Sequence, residues 1–311
     1  MIHFIIFLLQ FYAKFDERKD FYLDLIGGDM ENEETFRKYL QEIRPSQLYL
    51  SEDRLKSVKE KENLEPLPVK RIGEELFFTD GHHRAFALWK KGKKKVEVYE
   101  DEDDMDWLAY LICVDWCIEE NIASIKDLED KIVSEKKFQD LWIGRCQQMH
   151  DEDSFQHIQF EKEKDPGYKS QVCESILRSL PEWFGIEKAI KDYVEGVKDK
   201  SFTTVYVGNI PVGFISIKDH NRYTSEAYVL GIVEELHGRG IGKKLFGKVE
   251  RELNEDGKKF FTVKTLSDSR EDGSYKKTRR FYESVGFYPL EEFKELWSEE
   301  NPCLLMVKVL G

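Results

Sequence analysis

Long apolar runs, a cysteine framework and an excess of positive charge are all missing from this sequence. The one run that raises a membrane question, Phe4-Ile5-Ile6-Phe7-Leu8-Leu9, is well short of the ~20 residues a spanning helix needs. No basic stretch precedes it and no small-residue cleavage site follows it, so it reads as a buried strand or helix with no membrane association. The five cysteines, Cys113, Cys117, Cys146, Cys173 and Cys303, are odd in number and lack C-x-x-C spacing. That argues against a disulfide framework and points to a reducing, cytoplasmic setting. Cys113 and Cys117 lie one helical turn apart beside Trp116, with no histidine or further cysteine at ligand spacing. The pair therefore predicts helix packing and no metal site. Acidic residues outnumber basic ones 61 to 48, for a net charge of −13. Such a balance argues against nucleic acid as a partner, because phosphate neutralisation is the main sequence-independent source of that affinity; a cationic small-molecule amine would suit it. What is present is an ordinary globular composition, 35% charged and 41% hydrophobic, over 311 residues, a length that predicts two domains.

Glycine is concentrated where it matters. The stretch His237-Gly238-Arg239-Gly240-Ile241-Gly242-Lys243-Lys244 follows an apolar run of strand length, Tyr228 to Val233, and precedes Leu245, Phe246, Val249 and Leu253 at helical spacing. The glycines thus mark a strand-to-helix junction. Without Cβ atoms at Gly238, Gly240 and Gly242, backbone N–H groups can approach an anion at the start of the new helix, where the dipole also favours negative charge. A Rossmann fingerprint requires G-x-G-x-x-G, whereas the spacing here is G-x-G-x-G, and no Gly-Lys-Ser/Thr element follows.

This stretch resembles the pyrophosphate loop of the GNAT acetyltransferase superfamily, Gln/Arg-x-x-Gly-x-Gly/Ala, with His237 in the Gln/Arg position. A second element, Arg279-Arg280-Phe281-Tyr282-Glu283-Ser284-Val285-Gly286-Phe287, is similar to the family's late helix and the strand after it. Together they cover about residues 151 to 311. The resemblance implies an acetyl-CoA-dependent N-acetyltransferase acting on a primary amine of a small molecule or amino acid. It implies cofactor contacts from Ile232, His237, Gly238, Arg239, Gly240, Ile241, Gly242 and Lys243, with the His237 contact made through its backbone amide. Tyr282 is then the expected acid for the departing thiolate and Glu226, near the start of the central strand, a candidate base; Glu234 is a lesser one. Glu226 also reads as an exposed strand-end residue. The acceptor pocket is expected from helices at about Val172 to Leu180 and Gly185 to Val197, with Trp183, Phe184 and Tyr193 able to line it. The hairpin Thr204 to Phe214 reads as scaffold and Asn301 to Val307 as the closing strand.

The amino-terminal half carries its own glycine turn. Glu75 to Thr79 reads as a strand, Asp80-Gly81-His82-His83-Arg84 as the turn, with Asp80 placed to cap, and Ala85 to Trp89 as a helix. The run Lys90, Lys91, Lys93, Lys94, Lys95 follows, then a strand at Val96 to Tyr99. This half resembles the ParB/sulfiredoxin superfamily over about residues 35 to 105, through the Gly81 turn, Pro45-Ser46-Gln47 and Pro66 to Arg71. It is closest to that group's free-serine kinases, which carry an Asp-Gly-His-x-Arg turn. The resemblance implies a nucleotide, ATP or ADP with Mg, at Asp80, Gly81, His82, His83 and Arg84, with Glu52 as a possible base; the same domain could instead be a non-catalytic nucleotide- or partner-binding regulator. Adjacent histidines at a helix start point about 100° apart, so His82 and His83 cannot both face one ligand. The expected architecture is α+β throughout: a ParB/sulfiredoxin-like domain over 1–122, a helical connector over 123–150, and over 151–311 a GNAT fold with a mixed, mostly antiparallel sheet and flanking helices.

Overall fold

The computed structural model describes residues 35–59, 65–151 and 154–311; the apolar run at Phe4 to Leu9 lies outside them. Residues Phe36–Gly311 form one unit whose buried side chains make a continuous hydrophobic cluster.

Its first part is a four-stranded sheet in the order β1-β5-β3-β4, with β1 at Phe36–Tyr39, β3 at Leu67–Ile72, β4 at Glu75–Phe78 and β5 at Lys95–Glu100. The β3–β4 hairpin closes at Gly73, whose φ of +58° is left-handed. Helix α1 spans Glu52–Lys59 and α2 spans His82–Lys90. Helix α3, Trp107–Glu119, buries eleven consecutive residues from Trp107 to Cys117, as expected of a helix apolar all round. Its cap is Asp106, whose carboxylate accepts the Ala109 N–H at 3.4 Å.

The segment expected to be a helical connector is not one helix. Ile125–Lys131 is a 3₁₀ turn, closed by a reciprocal Ser124–Asp127 capping box. The β-branched pair Ile132–Val133 then forms β6, parallel to β2 at Leu50–Ser51. Ser134 caps the next helix, α4 at Glu135–Phe138, which runs through a π turn into α5 at Gly144–Asp151. Backbone pairing to β2 thus overrides the helical periodicity and ties this segment to the first half.

The second part is a seven-stranded sheet in the order β12-β13-β11-β10-β9-β8-β7. Its strands are β7 Ile158–Glu163, β8 Ser201–Val207, β9 Ile210–Asp219, β10 Thr224–Ile232, β11 Phe260–Leu266, β12 Tyr288–Ser298 and β13 Asn301–Val309. Only the β10–β11 pair is parallel. The segment expected as the closing strand lies inside, between β11 and β12, so β12 forms the edge. Helix α6, Pro166–Arg178, starts earlier than periodicity suggested, because Asp165 accepts the Tyr168 N–H at 2.7 Å and Pro166 occupies the first turn. Helices α7, Glu187–Gly196, α8, Ile241–Glu255, and α9, Gly273–Ser284, complete the unit.

The two halves are joined by specific polar contacts. Asp115 on α3 is 5% exposed and accepts both the backbone N–H of Asn209 at 2.8 Å and its side-chain amide at 2.9 Å. Those bonds compensate the burial of its carboxylate. They also press the β8–β9 turn so close that a Cβ on Gly208 would lie 1.8 Å from Asp115 Oδ2.

Candidate functional site

Strand β10 pairs with β11 only from Thr224 to Ala227. A bulge at Tyr228 shifts its register on β9, and beyond it β10 and β11 part. The Val233 N–H bonds the Val212 carbonyl at 2.9 Å. Strand alternation therefore turns Val229 and Gly231 toward β9, and the backbone groups of Leu230 and Ile232 toward the gap. A cavity of about 630 Å³ fills that gap.

At one end of the cavity the chain turns into α8. Gly238 and Gly240 adopt left-handed φ of +75° and +81°, and Gly240 is an N-cap without a side-chain acceptor. Lys244 is the first residue whose N–H reaches back into the helix, to the Gly240 carbonyl at 3.1 Å. The amides of Ile241, Gly242 and Lys243 are left without an intrahelical partner. His237 and Arg239 depart from expectation. The His237 amide is used, at 2.9 Å, by the Glu234 carbonyl, and its Nε2 donates to the Ile232 carbonyl at 2.7 Å. Gly242 answers a packing need: a Cβ there would lie 3.0 Å from the Phe281 ring on α9. Arg239 does not line the cavity, because its guanidinium pairs with Asp106 at 2.8 Å. Lys243 lines it, whereas the Lys244 ammonium lies 3.3 Å over the Phe155 ring.

The other end is aromatic. Trp183, Phe184 and Tyr193 line the cavity with Tyr228, Tyr275 and Tyr282. Trp183 bridges the link between α6 and α7 to α9: its Nε1 donates to Thr278 Oγ1 at 3.0 Å and its carbonyl accepts from Tyr275 Oη at 2.8 Å. Tyr282 is packed among Phe246, Phe281 and Phe287. Its hydroxyl has no hydrogen-bond partner among the described residues, and burial, with Tyr275 and Tyr193 adding to it, raises its pKa above the usual tyrosine value. Burial likewise pushes the Tyr275 hydroxyl up to about 12. Thr265 also lines the cavity, and its buried Oγ1 has no partner among the described residues.

Glu226 is not an exposed strand end. It is 3% exposed, with Oε1 accepting from Lys264 Nζ at 2.7 Å and Oε2 2.6 Å from His220 Nε2. Lys264, which sequence reading missed, lines the cavity, whereas Glu226 and Glu234 do not. Charged liners are otherwise Lys243, Lys277 and Arg280; among the described residues no aspartate or glutamate lines it.

The first glycine turn has another use. Gly81, with φ of +78°, is the N-cap of α2, and Asp80 does not cap it; Asp80 instead lies 3.6 Å from Arg84. His82 Nε2 accepts the Ser46 N–H at 3.0 Å and His83 Nε2 accepts the Ser51 N–H at 2.9 Å. Both rings are buried, and desolvation lowers each pKa to about 3, with the charges of His82 and Arg54 adding to the effect at His83. Each is therefore neutral with its proton on Nδ1, and neither is presented to a ligand. The Arg84 guanidinium lies across the glycine, 3.0 Å from where a Cβ on Gly81 would stand, and 3.5 Å from Glu65. Lys90 pairs with Glu129, Lys95 covers the Tyr39 ring, and Glu52 is an exposed first-turn residue of α1. Among the described residues no helix is long and apolar enough to cross a membrane.

No curated protein matches the chain. Solved structures that it resembles include Ard1 from Thermoplasma volcanium, 18% identical, covering 50% of this chain and 99% of that one at a TM-score of 0.40. A GNAT family acetyltransferase from Elizabethkingia anophelis with acetyl-CoA bound is 15% identical, covering 50% and 99% at 0.38. The IAA acetyltransferase from Bacillus cereus is 18% identical, covering 49% and 99% at 0.36. Residues 198–289, which run from the end of α7 through the cavity walls to the start of β12, match the family model of the acetyltransferase (GNAT) domain. The carboxyl-terminal half therefore holds a GNAT acetyltransferase domain, and the protein is an N-acetyltransferase.

Proposed function

We propose that the cavity binds acetyl-CoA and that the acceptor is a small primary amine with a single basic nitrogen. The observation that carries this reading is the parting of β10 from β11 beside the uncapped start of α8. It places unpaired strand amides and unpaired helix amides along one cavity, where an extended arm with amide groups and a diphosphate would satisfy both. The buried, partnerless Thr265 Oγ1 supports the fit. Ile241, Gly242 and Lys243 would hold the diphosphate through backbone N–H groups and the Lys243 ammonium. Leu230 and Ile232 would hold the arm through backbone groups.

When bound, acetyl-CoA supplies an acyl group activated as a thioester. Net transfer forms a C–N bond and breaks a C–S bond, so one proton must leave the amine and one must reach the sulfur. Tyr282 Oη holds its proton at neutral pH, because burial opposes the phenolate. That raised pKa makes complete proton loss to a thiolate unfavourable, so Tyr282 acts as a hydrogen-bond donor to the developing sulfur charge, and the proton that finally reaches the sulfur comes from water. Glu226, held by Lys264 and by the His220 ring, is the candidate base and would take the amine's proton through water.

The excess of acidic residues does not extend into the cavity. Its charged walls are Lys243, Lys264, Lys277 and Arg280, and a polycation would leave its additional charges without partners there. An apolar or carboxylate-bearing amine, an amino acid included, fits aromatic walls with Lys264 among them. A panel of monoamines, amino acids and polyamines, read by thiol release, tests the reading. Transfer to monoamines or amino acids is expected; transfer confined to polyamines, or to none, overturns it.

The amino-terminal half is better explained as a non-catalytic support than as a second enzyme. Both histidines of its turn are consumed by Ser46 and Ser51, leaving only Asp80 and Arg84 at the rim. Full-length protein incubated with ATP or ADP, Mg²⁺ and free serine should give no phosphoserine; its formation would restore the kinase reading.

A further inference from the structure

The turn that carries the anion-binding amides of α8 is anchored from the other half of the molecule. Between Gly238 and Gly240, both left-handed, the chain has a single side chain, Arg239. A Cβ at Gly238 would touch nothing within 4 Å, and one at Gly240 only the edge of the Phe155 ring at 3.8 Å, so packing does little to hold this backbone. Two glycines one residue apart also carry the largest conformational entropy to be lost on ordering. Arg239 is pinned by Asp106 at 2.8 Å, and Asp106 is itself fixed as the cap of the buried helix α3. One turn earlier, Glu235 lies 3.7 Å from Lys70 on β3, whose ammonium sits 5.1 Å over the Trp107 ring. Two ion pairs of opposite polarity, both with partners in the amino-terminal half, thus bracket the segment from Glu235 to Arg239.

We propose that Asp106 is a positioning residue for the cofactor: through Arg239 it holds the glycine turn in the conformation that presents the Ile241, Gly242 and Lys243 amides, so that acetyl-CoA affinity depends on the amino-terminal half. The proposal rests on the reading of the cavity as the acetyl-CoA site. Its physical content is preorganisation: a turn already ordered loses less entropy when its ligand arrives. Arg239 contributes by where it ties the chain, and its charge is spent on Asp106.

Asp106→Asn in the full-length protein is the informative variant, because asparagine caps a helix as well as aspartate does while the ion pair is lost. Calorimetry with acetyl-CoA is expected to show Kd raised about 2- to 5-fold, the range for an ordered surface pair, and steady-state kinetics a KM for acetyl-CoA raised to match with kcat unchanged within error. Arg239→Gln should give the same change, and the double variant no more than either single one. Unchanged Kd in Asp106→Asn overturns the proposal. So does a loss in Arg239→Gln alone, which would mean that Arg239 meets the phosphates directly. Hydrogen exchange at the Lys244 amide, which closes the first turn of α8 on Gly240, gives a readout without ligand. If the wild type fails to bind acetyl-CoA, the proposed function falls and this exchange decides alone: faster exchange in Asp106→Asn upholds the anchoring, equal exchange overturns it.

Discussion

The two glycine turns of this chain use one backbone device for opposite ends. In each, a strand runs into a left-handed glycine that caps a helix without a side chain, Gly81 before α2 and Gly240 before α8. At the first, the residues after the glycine are histidines whose rings enter the core and accept backbone N–H groups from Ser46 and Ser51, while the arginine folds over the turn. At the second, small and aliphatic residues leave the amides open to a cavity of about 630 Å³, and the arginine is drawn away to Asp106. The same turn thus serves the core in one half and adjoins an open cavity in the other.

If the first turn is structural, its chemistry should appear in stability. His82 and His83 have pKa values of about 3 in the folded chain against 6.5 unfolded. The folded state thus disfavours their charged forms, and the stability involved is fully present above pH 6.5 and is lost as pH falls toward 3. Two such groups give a slope of about 2.7 kcal/mol per pH unit within that window, the largest effect expected here. Denaturant titrations between pH 7 and 4 measure it, and a flat profile would mean that the rings are not buried neutral. His82→Ala comes next: an unpaired buried Ser46 N–H and a cavity should cost about 2–4 kcal/mol, with acetyl transfer by the remaining folded protein intact. A His82 variant of wild-type stability that had lost a nucleotide site would reverse the comparison.

The second turn should respond in activity instead. Tyr282→Phe removes one donor to the sulfur and should lower kcat by about 10- to 100-fold with the melting temperature little changed. An unaltered kcat would show that Tyr282 does not stabilise the developing sulfur charge. Gly242→Ala is the smallest and sharpest case: its Cβ would meet Phe281 at 3.0 Å, so a loss of about 1–3 kcal/mol in stability is expected, measured by thermal melting. A larger loss in acetyl-CoA affinity than in stability would show that the missing Cβ of the third glycine serves the anion as well as the packing.

What the sequence made legible was local. The strand at β10, the helix after it and the Tyr282 helix were readable because apolar periodicity and glycine spacing are written in neighbouring residues. The bulge at Tyr228 and the parting of β10 from β11 were not, since a strand's sequence does not say where its partner leaves. Glu226 read as an exposed strand end because its burial depends on Lys264 and His220 arriving from β11 and the β9–β10 turn. The role of Arg239 was hidden for the same reason, its partner Asp106 lying in the other half. At Ile132–Val133 a helical reading failed because two β-branched residues met a free strand edge at Leu50–Ser51.

The central claim is that the amides at the start of α8 form the acetyl-CoA site, and calorimetry of the full-length protein tests it most directly. Wild type should bind acetyl-CoA at one site per chain. Gly240→Asp, which sets a strained residue and a carboxylate at a left-handed position of φ +81°, should weaken binding by about 30-fold or more. Equal binding by both proteins, or none by the wild type, would contradict the account.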